Sequence, residues 1–99
     1  MRPTYFRAES ENGSRIDNPS EDSLFMLVED LDDADNTFLV IQPDMDDPPW
    51  FATVGVLDEG GYEIVLRDAS RREHSVYTET SVDRIANALV TWPASRGGT

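Results

Sequence analysis

Residues 51–67 read FATVGVLDEGGYEIVLR, and this stretch decides the fold. Phe51 to Leu57 and Tyr62 to Arg67 are rich in β-branched and aromatic residues, which suit a pleated, half-buried surface. Between them Asp58-Glu59-Gly60-Gly61 supplies glycines for the positive φ of a tight hairpin. Two antiparallel strands are therefore expected. A third, Thr37 to Gln42, precedes them across a loop at Pro43 to Pro49, because Pro48-Pro49 cannot continue a ladder. A fourth, Arg72 to Glu79, follows a turn at Asp68 to Arg71, with His74, Val76 and Thr78 on one face and Ser75, Tyr77 and Glu79 on the other.

Helices flank this meander. Asn18-Pro19-Ser20-Glu21 matches a capping box with Asn18 as cap, Pro19 at the first helical position and Glu21 at the third. Leu24, Leu27, Val28 and Leu31 then form one apolar stripe, predicting a helix over 19–31. Thr80-Ser81-Val82-Asp83 opens a second helix with its stripe at Val82, Ile85, Ala86 and Leu89, closed by Trp92-Pro93. Thr4 to Ala8 fits a short N-terminal edge strand, and Glu9 to Asp17 a flexible loop. The order is α-β-β-β-β-α. The expected fold is α+β: a two-layer sandwich with a four-stranded antiparallel meander, a possible fifth N-terminal edge strand, and both helices on one face. A single domain spans 18–93. Residues 1–17 form a flexible segment or edge strand, and 94–99 a disordered tail.

At 99 residues, one domain with a modest core is expected. Without cysteine there is no disulfide and no cysteine–metal site, which points to a reducing, cytoplasmic setting. Met1 to Tyr5 has no apolar signal core, and no apolar run reaches membrane-spanning length.

The formal net charge is −12, from 20 acids against 8 arginines and no lysine. From Asp17 to Leu66 there are fourteen acids and not one arginine. Such a field repels nucleic acid and anionic membranes and steers basic partners inward. On the meander it divides between two ends. The end where the first predicted strand begins gathers Asp30, Asp32, Asp33, Asp35, Asp58 and Glu59, with no base among them. The other end holds Asp44, Asp46, Asp47 and Asp68, near Arg71 and Arg72. Asp30, Asp32 and Asp33 also sit at a helix C-terminus, where each exposed acid costs up to about 0.3–1 kcal/mol. That misplacement is evidence that a partner uses the cluster; a tolerated loop charge is the other reading. Phe25, off the helical stripe between Asp22 and Glu29, and Trp50, beside Pro48-Pro49, are further contact candidates.

The signs of catalysis are weak. No register of Asp30 to Asp35 or Asp44 to Asp47 gives an EF-hand loop with its glycine and terminal glutamate. His74 is the only histidine, so no His–His metal pair exists. There is no P-loop and no GxGxxG; Gly60-Gly61 belongs to the hairpin. A hydrolase using paired carboxylates would need a concave pocket around the pair. No enzyme, metal or cofactor is expected.

The chain resembles an immunity-protein family of bacterial polymorphic toxin systems, the family encoded beside deaminase-type toxins. The resemblance rests on Asn18-Pro19-Ser20-Glu21 opening a helix, Asn36-Thr37-Phe38-Leu39-Val40 as a strand, Gly60-Gly61-Tyr62-Glu63 leading into the next, and the closing helix near Trp92. It spans about residues 18–92 and transfers no catalytic residue. It implies a cytoplasmic protein that binds a basic, nucleic-acid-acting toxin and blocks its active site. The alternative is an acidic regulatory or adaptor domain, or a DNA mimic that inhibits a host enzyme or a DNA-binding protein.

Overall fold

A computed structural model of the chain describes residues 6–97. One antiparallel sheet holds six strands: β1 (Phe6–Ser10), β2 (Arg15–Asp17), β3 (Phe38–Pro43), β4 (Trp50–Val56), β5 (Tyr62–Asp68) and β6 (Glu73–Glu79). Their spatial order is β2-β1-β3-β4-β5-β6. Helix α1 (Glu21–Glu29) lies in the chain between β2 and β3, and α2 (Val82–Gly97) closes it. The expected α+β class and the β3–β6 meander are present; the strand count and the element order differ.

The difference lies at the N-terminus. Asn12-Gly13-Ser14 is a hairpin turn with Gly13 at φ 94°, so residues 9–17 carry the end of β1 and all of β2. β1 is an interior strand, paired to β2 through Ala8↔Ile16 and to β3 through Ala8↔Ile41. Ala8 and Ser10 alternate inward and are buried, a two-residue period too short to stand out beside the polar residues around it.

Helix α1 begins later than its capping pattern suggests. Ser20 is the N-cap, its Oγ accepting the Ser23 N–H at 3.1 Å. Asn18 instead takes the left-handed conformation at φ 47°, which asparagine tolerates, and its Oδ1 accepts the Phe6 N–H. Glu21 and Asp22 occupy the first turn, where the helix dipole favours negative charge. Leu24, Leu27 and Val28 are buried beneath it.

Helix α2 does not stop at Pro93. It runs to Gly97, with Pro93 fully buried inside it. Proline leaves a carbonyl of the preceding turn without its donor. Nearby, the Thr91 Oγ1 donates to the Asn87 carbonyl and the Ser95 Oγ to that of Trp92. Those carbonyls are not the one that Pro93 deprives, that of Leu89; burial of the ring in the core is the compensation the structure shows.

One face of the sheet meets both helices. Ala8, Leu39, Ile41, Ala52, Val54 and Ile64 from the strands pack with Leu24, Leu27, Val28, Ile85, Ala86 and Leu89 in a single core. Register places these strand residues on one face: Ala8↔Ile41↔Ala52 and Leu39↔Val54↔Ile64 form rows across it. Among the described residues the other face carries no helix. Phe38, Val40, Phe51, Val65 and Val76 lie there between charged residues, half-buried or exposed.

Candidate functional site

Four connections meet at the end of the sheet where β3 begins, here the acidic end. They are the β1–β2 turn, the α1–β3 loop, the β4–β5 hairpin and the β6–α2 junction. Pairing of Phe38 with Gly55, and of Val56 with Tyr62, fixes the loop and the hairpin at this end. The hairpin closes through Leu57 N–H to Gly61 O at 3.1 Å and Gly60 N–H to Leu57 O at 3.0 Å. Gly60 and Gly61 hold φ of 101° and 79°, so the turn depends on their missing side chains. Asp30, Asp32, Asp33, Asp35, Asp58 and Glu59 thus share one end, as their sequence positions require. Glu11, Glu79 and Asp83 join them there.

Three of these carboxylates are committed to the fold. Asp32 Oδ1 accepts the backbone N–H groups of Ala34, Asp35 and Asn36 at 2.8, 2.9 and 3.1 Å. Those bonds, led by Ala34, hold its carboxyl below the usual range. Glu11 Oε1 binds the N–H and hydroxyl of Thr37, and Glu79 Oε2 accepts from Thr80 and Ser81. Both are pushed down, Glu11 chiefly by the Thr37 N–H and Glu79 chiefly by the Ser81 N–H. The supposed cost of an acid after α1 is therefore offset at Asp32 by three donors. Buried Asn36 ties the end together: its Oδ1 accepts the Asn12 N–H and its Nδ2 donates to the Asp30 carbonyl.

Asp33, Asp35, Asp58 and Glu59 are exposed, and among the described residues none forms an ion pair. Asp30 is the exposed C-cap of α1, with no basic residue in that helix's last turn. The end is not wholly free of bases. Arg84, in the first turn of α2, lies 3.9 Å from Glu79. The opposite end is compensated at Asp44 and Asp68, while Asp46 and Asp47 are exposed and form no ion pair among the described residues. Arg7 Nη1 donates to Asp44 at 2.6 Å, and Arg15 lies 3.8 Å from the same oxygen. Asp68 is buried, caps the short 3-10 turn Ala69–Arg71, and accepts from Ser70 and Arg71.

The aromatic contact candidates are corrected. Trp50 is 4% exposed and belongs to the core, where Trp92 stands edge-on to it at 5.4 Å and Phe6 lies 6.3 Å away. The Pro48-Pro49 loop delivers its ring inward because Trp50 sits on the helix-facing side of β4, opposite Asp68. Phe25 is half-buried against the same core, not offered among acids. The exposed apolar residues lie elsewhere: Met26, Phe38, Met45, Val76 and Tyr77. For Phe38 and Val76 the signal was strand alternation, which places both on the helix-free face.

A shallow depression of about 330 Å³ on that face is lined by Arg7, Glu9, Glu11, Phe38, Val40 and Gln42. It contains an acid pair, but Glu11 is spent on Thr37 and its pKa is lowered. A general acid needs the opposite shift. Among the described residues no group of three or more metal-ligating side chains is placed to hold a metal ion. No described helix is long and apolar enough to cross a membrane. No family model, no curated protein and no solved structure matches the chain.

Proposed function

We propose that the protein is an immunity protein that binds and neutralises a basic, nucleic-acid-acting toxin through its acidic end, working in the cytoplasm. One observation carries this reading: Asp33, Asp35, Asp58 and Glu59 converge at one end of the sheet, exposed and without ion-pair partners among the described residues. A toxin that acts on nucleic acid presents a basic cleft, and carboxylates left free of arginine are available to fill it. Like-signed charge on a fixed scaffold speeds encounter and makes association salt-dependent. Asp32, Glu11 and Glu79 hold the loops that display the free acids. The resemblance of residues 18–92 to the immunity family adds a class of partner.

The test is binding of the toxin encoded by a neighbouring gene, measured by stopped-flow at several salt concentrations. The combined variant Asp33→Asn, Asp35→Asn, Asp58→Asn, Glu59→Gln is expected to associate at least about tenfold more slowly at low salt, with a flatter salt dependence. Asp32 is left intact because its loss would disturb the loop. Association unchanged by the four substitutions would sink the proposed surface. Capture of a host DNA-binding protein in place of a toxin would favour the DNA-mimic alternative.

A further inference from the structure

The two edges of the sheet are unequal. β2 is three residues long and offers little backbone to another chain. β6 is seven residues long and carries no proline, no lysine and no bulge across Glu73 to Glu79; its charged residues, Glu73 and Glu79, stand only at its two ends. Natural edge strands usually carry such blocks against pairing with another chain. Val76 is 53% exposed and Tyr77 38%, so both faces of this edge offer apolar surface.

The hydrogen-bond phase of the edge follows from the ladder. Ala69 N–H bonds to Pro49 O and Leu57 N–H to Gly61 O, so odd-numbered β5 residues turn their backbone groups toward β4. Tyr62, Ile64, Leu66 and Asp68 then face β6, where they meet Glu79, Tyr77, Ser75 and Glu73. The N–H and C=O groups left pointing outward from β6 are those of His74, Val76 and Thr78.

Charge along this edge is polarised. Glu63 lies beside Thr78 toward the acidic end, with Glu79 next to it. Toward the other end, Arg67 lies beside His74 on the helix-free face, and a concavity gathers Arg67, Arg72 and His74 together with Asp68 and Glu73, so that end is mixed in charge where the acidic end carries acids alone. An antiparallel copy of the same edge reverses that order.

We propose that β6 pairs edge to edge with β6 of a second copy of this chain, about a two-fold axis at Val76, giving one continuous twelve-stranded sheet. In this register Val76 meets the partner's Val76, and His74 meets the partner's Thr78. Every outward backbone group of the three residues is paired, whereas a shift of one residue leaves some unmatched. On the helix-free face the apolar row Val65–Val76 continues into the same row of the copy. On each side of it a row runs Glu63, Thr78, the partner's His74, the partner's Arg67, with acid at one end and base at the other. On the helix side Glu79 meets the partner's Glu73, a like-charge pair that the two-fold axis repeats. Glu79 is already turned onto Thr80, Ser81 and Arg84. This contact is independent of the acidic-end reading.

The experiment is sedimentation of the full chain from about 1 μM to about 1 mM, with amide hydrogen exchange at both extremes. A monomer–dimer equilibrium is expected, with exchange at His74, Val76 and Thr78 slowed only at high concentration. Val76→Pro removes an outward N–H that no described strand of its own copy uses, and Val76→Glu sets two carboxylates against each other on the axis. Each is expected to weaken dimerisation at least about tenfold, while circular dichroism reports an intact fold. If the proline variant unfolds, the glutamate variant decides. A chain that stays monomeric overturns the proposal. So does a dimer that both variants leave unchanged, or one in which those three amides stay unprotected. Protection that arises only when another protein's strand is added also overturns it.

Discussion

Glu11 Oε1 accepts two hydrogen bonds from Thr37, one from the backbone N–H at 2.8 Å and one from the hydroxyl at 2.7 Å. That carboxylate fastens the β1–β2 turn to the first residue before β3. It shares its end of the sheet with Asp32 and Glu79, which do the same work on neighbouring connections.

A pH dependence follows. Glu11, Asp32 and Glu79 are held below ordinary values of 4.5, 3.8 and 4.5 by bonds to their charged forms. A depressed folded-state pKa adds stability that is fully present above the unfolded value and is lost as pH falls through the folded one. The difference in unfolding free energy between wild type and Glu11→Gln is expected to be constant near neutrality and to shrink below about pH 4.5. Urea unfolding across that range checks it, and a flat difference would refute the assignment.

Trp50 is a core residue, and its loss should register as stability. Trp50→Ala leaves a cavity beside Trp92 and Phe6 and is expected to cost about 3–5 kcal/mol, with loss of the near-ultraviolet signal of the tryptophan pair. Trp50→Phe should cost clearly less. A Trp50→Ala protein as stable as wild type would contradict the burial seen here.

Asn36→Ala removes an acceptor for the Asn12 N–H and a donor to the Asp30 carbonyl in a buried setting. The expected cost is about 1–3 kcal/mol in equilibrium unfolding. Faster amide exchange at Asn12 would locate the damage at the β1–β2 turn.

The acids of one loop should separate by role. Asp32→Ala strips the acceptor from three backbone N–H groups and should lower the melting temperature. Asp33→Asn and Asp35→Asn should leave it unchanged or raise it, since each removes one charge from a chain at −12. Equal destabilisation by all three would refute the division.

Much of the fold was legible because its signals are local. The Gly60-Gly61 turn, the alternation through Phe51 to Leu57 and the stripe Leu24, Leu27, Val28 each depend on residues within a few positions of one another. Sequence spacing also sufficed to bring Asp32 and Asp58 to one end, because antiparallel strands of similar length return their turns to the same side. The β1–β2 hairpin is hard to read in the sequence because its apolar content is only Phe6, Ala8 and Ile16 across two strands. Pro93 reads as a stop in the sequence because burial of its ring is a property of packing.

By itself, then, the sequence determined the charge, the meander and the pole where unpaired acids collect, all consequences of composition, period and turn position. Tertiary structure alone decided which acids are free and which are spent. Whether a carboxylate finds an N–H group depends on how Thr37, Ala34 or Ser81 comes to lie beside it. It also turned Trp50 inward and left His74, Val76 and Thr78 on an open edge, because strand order and the phase of the ladder are set across the sheet.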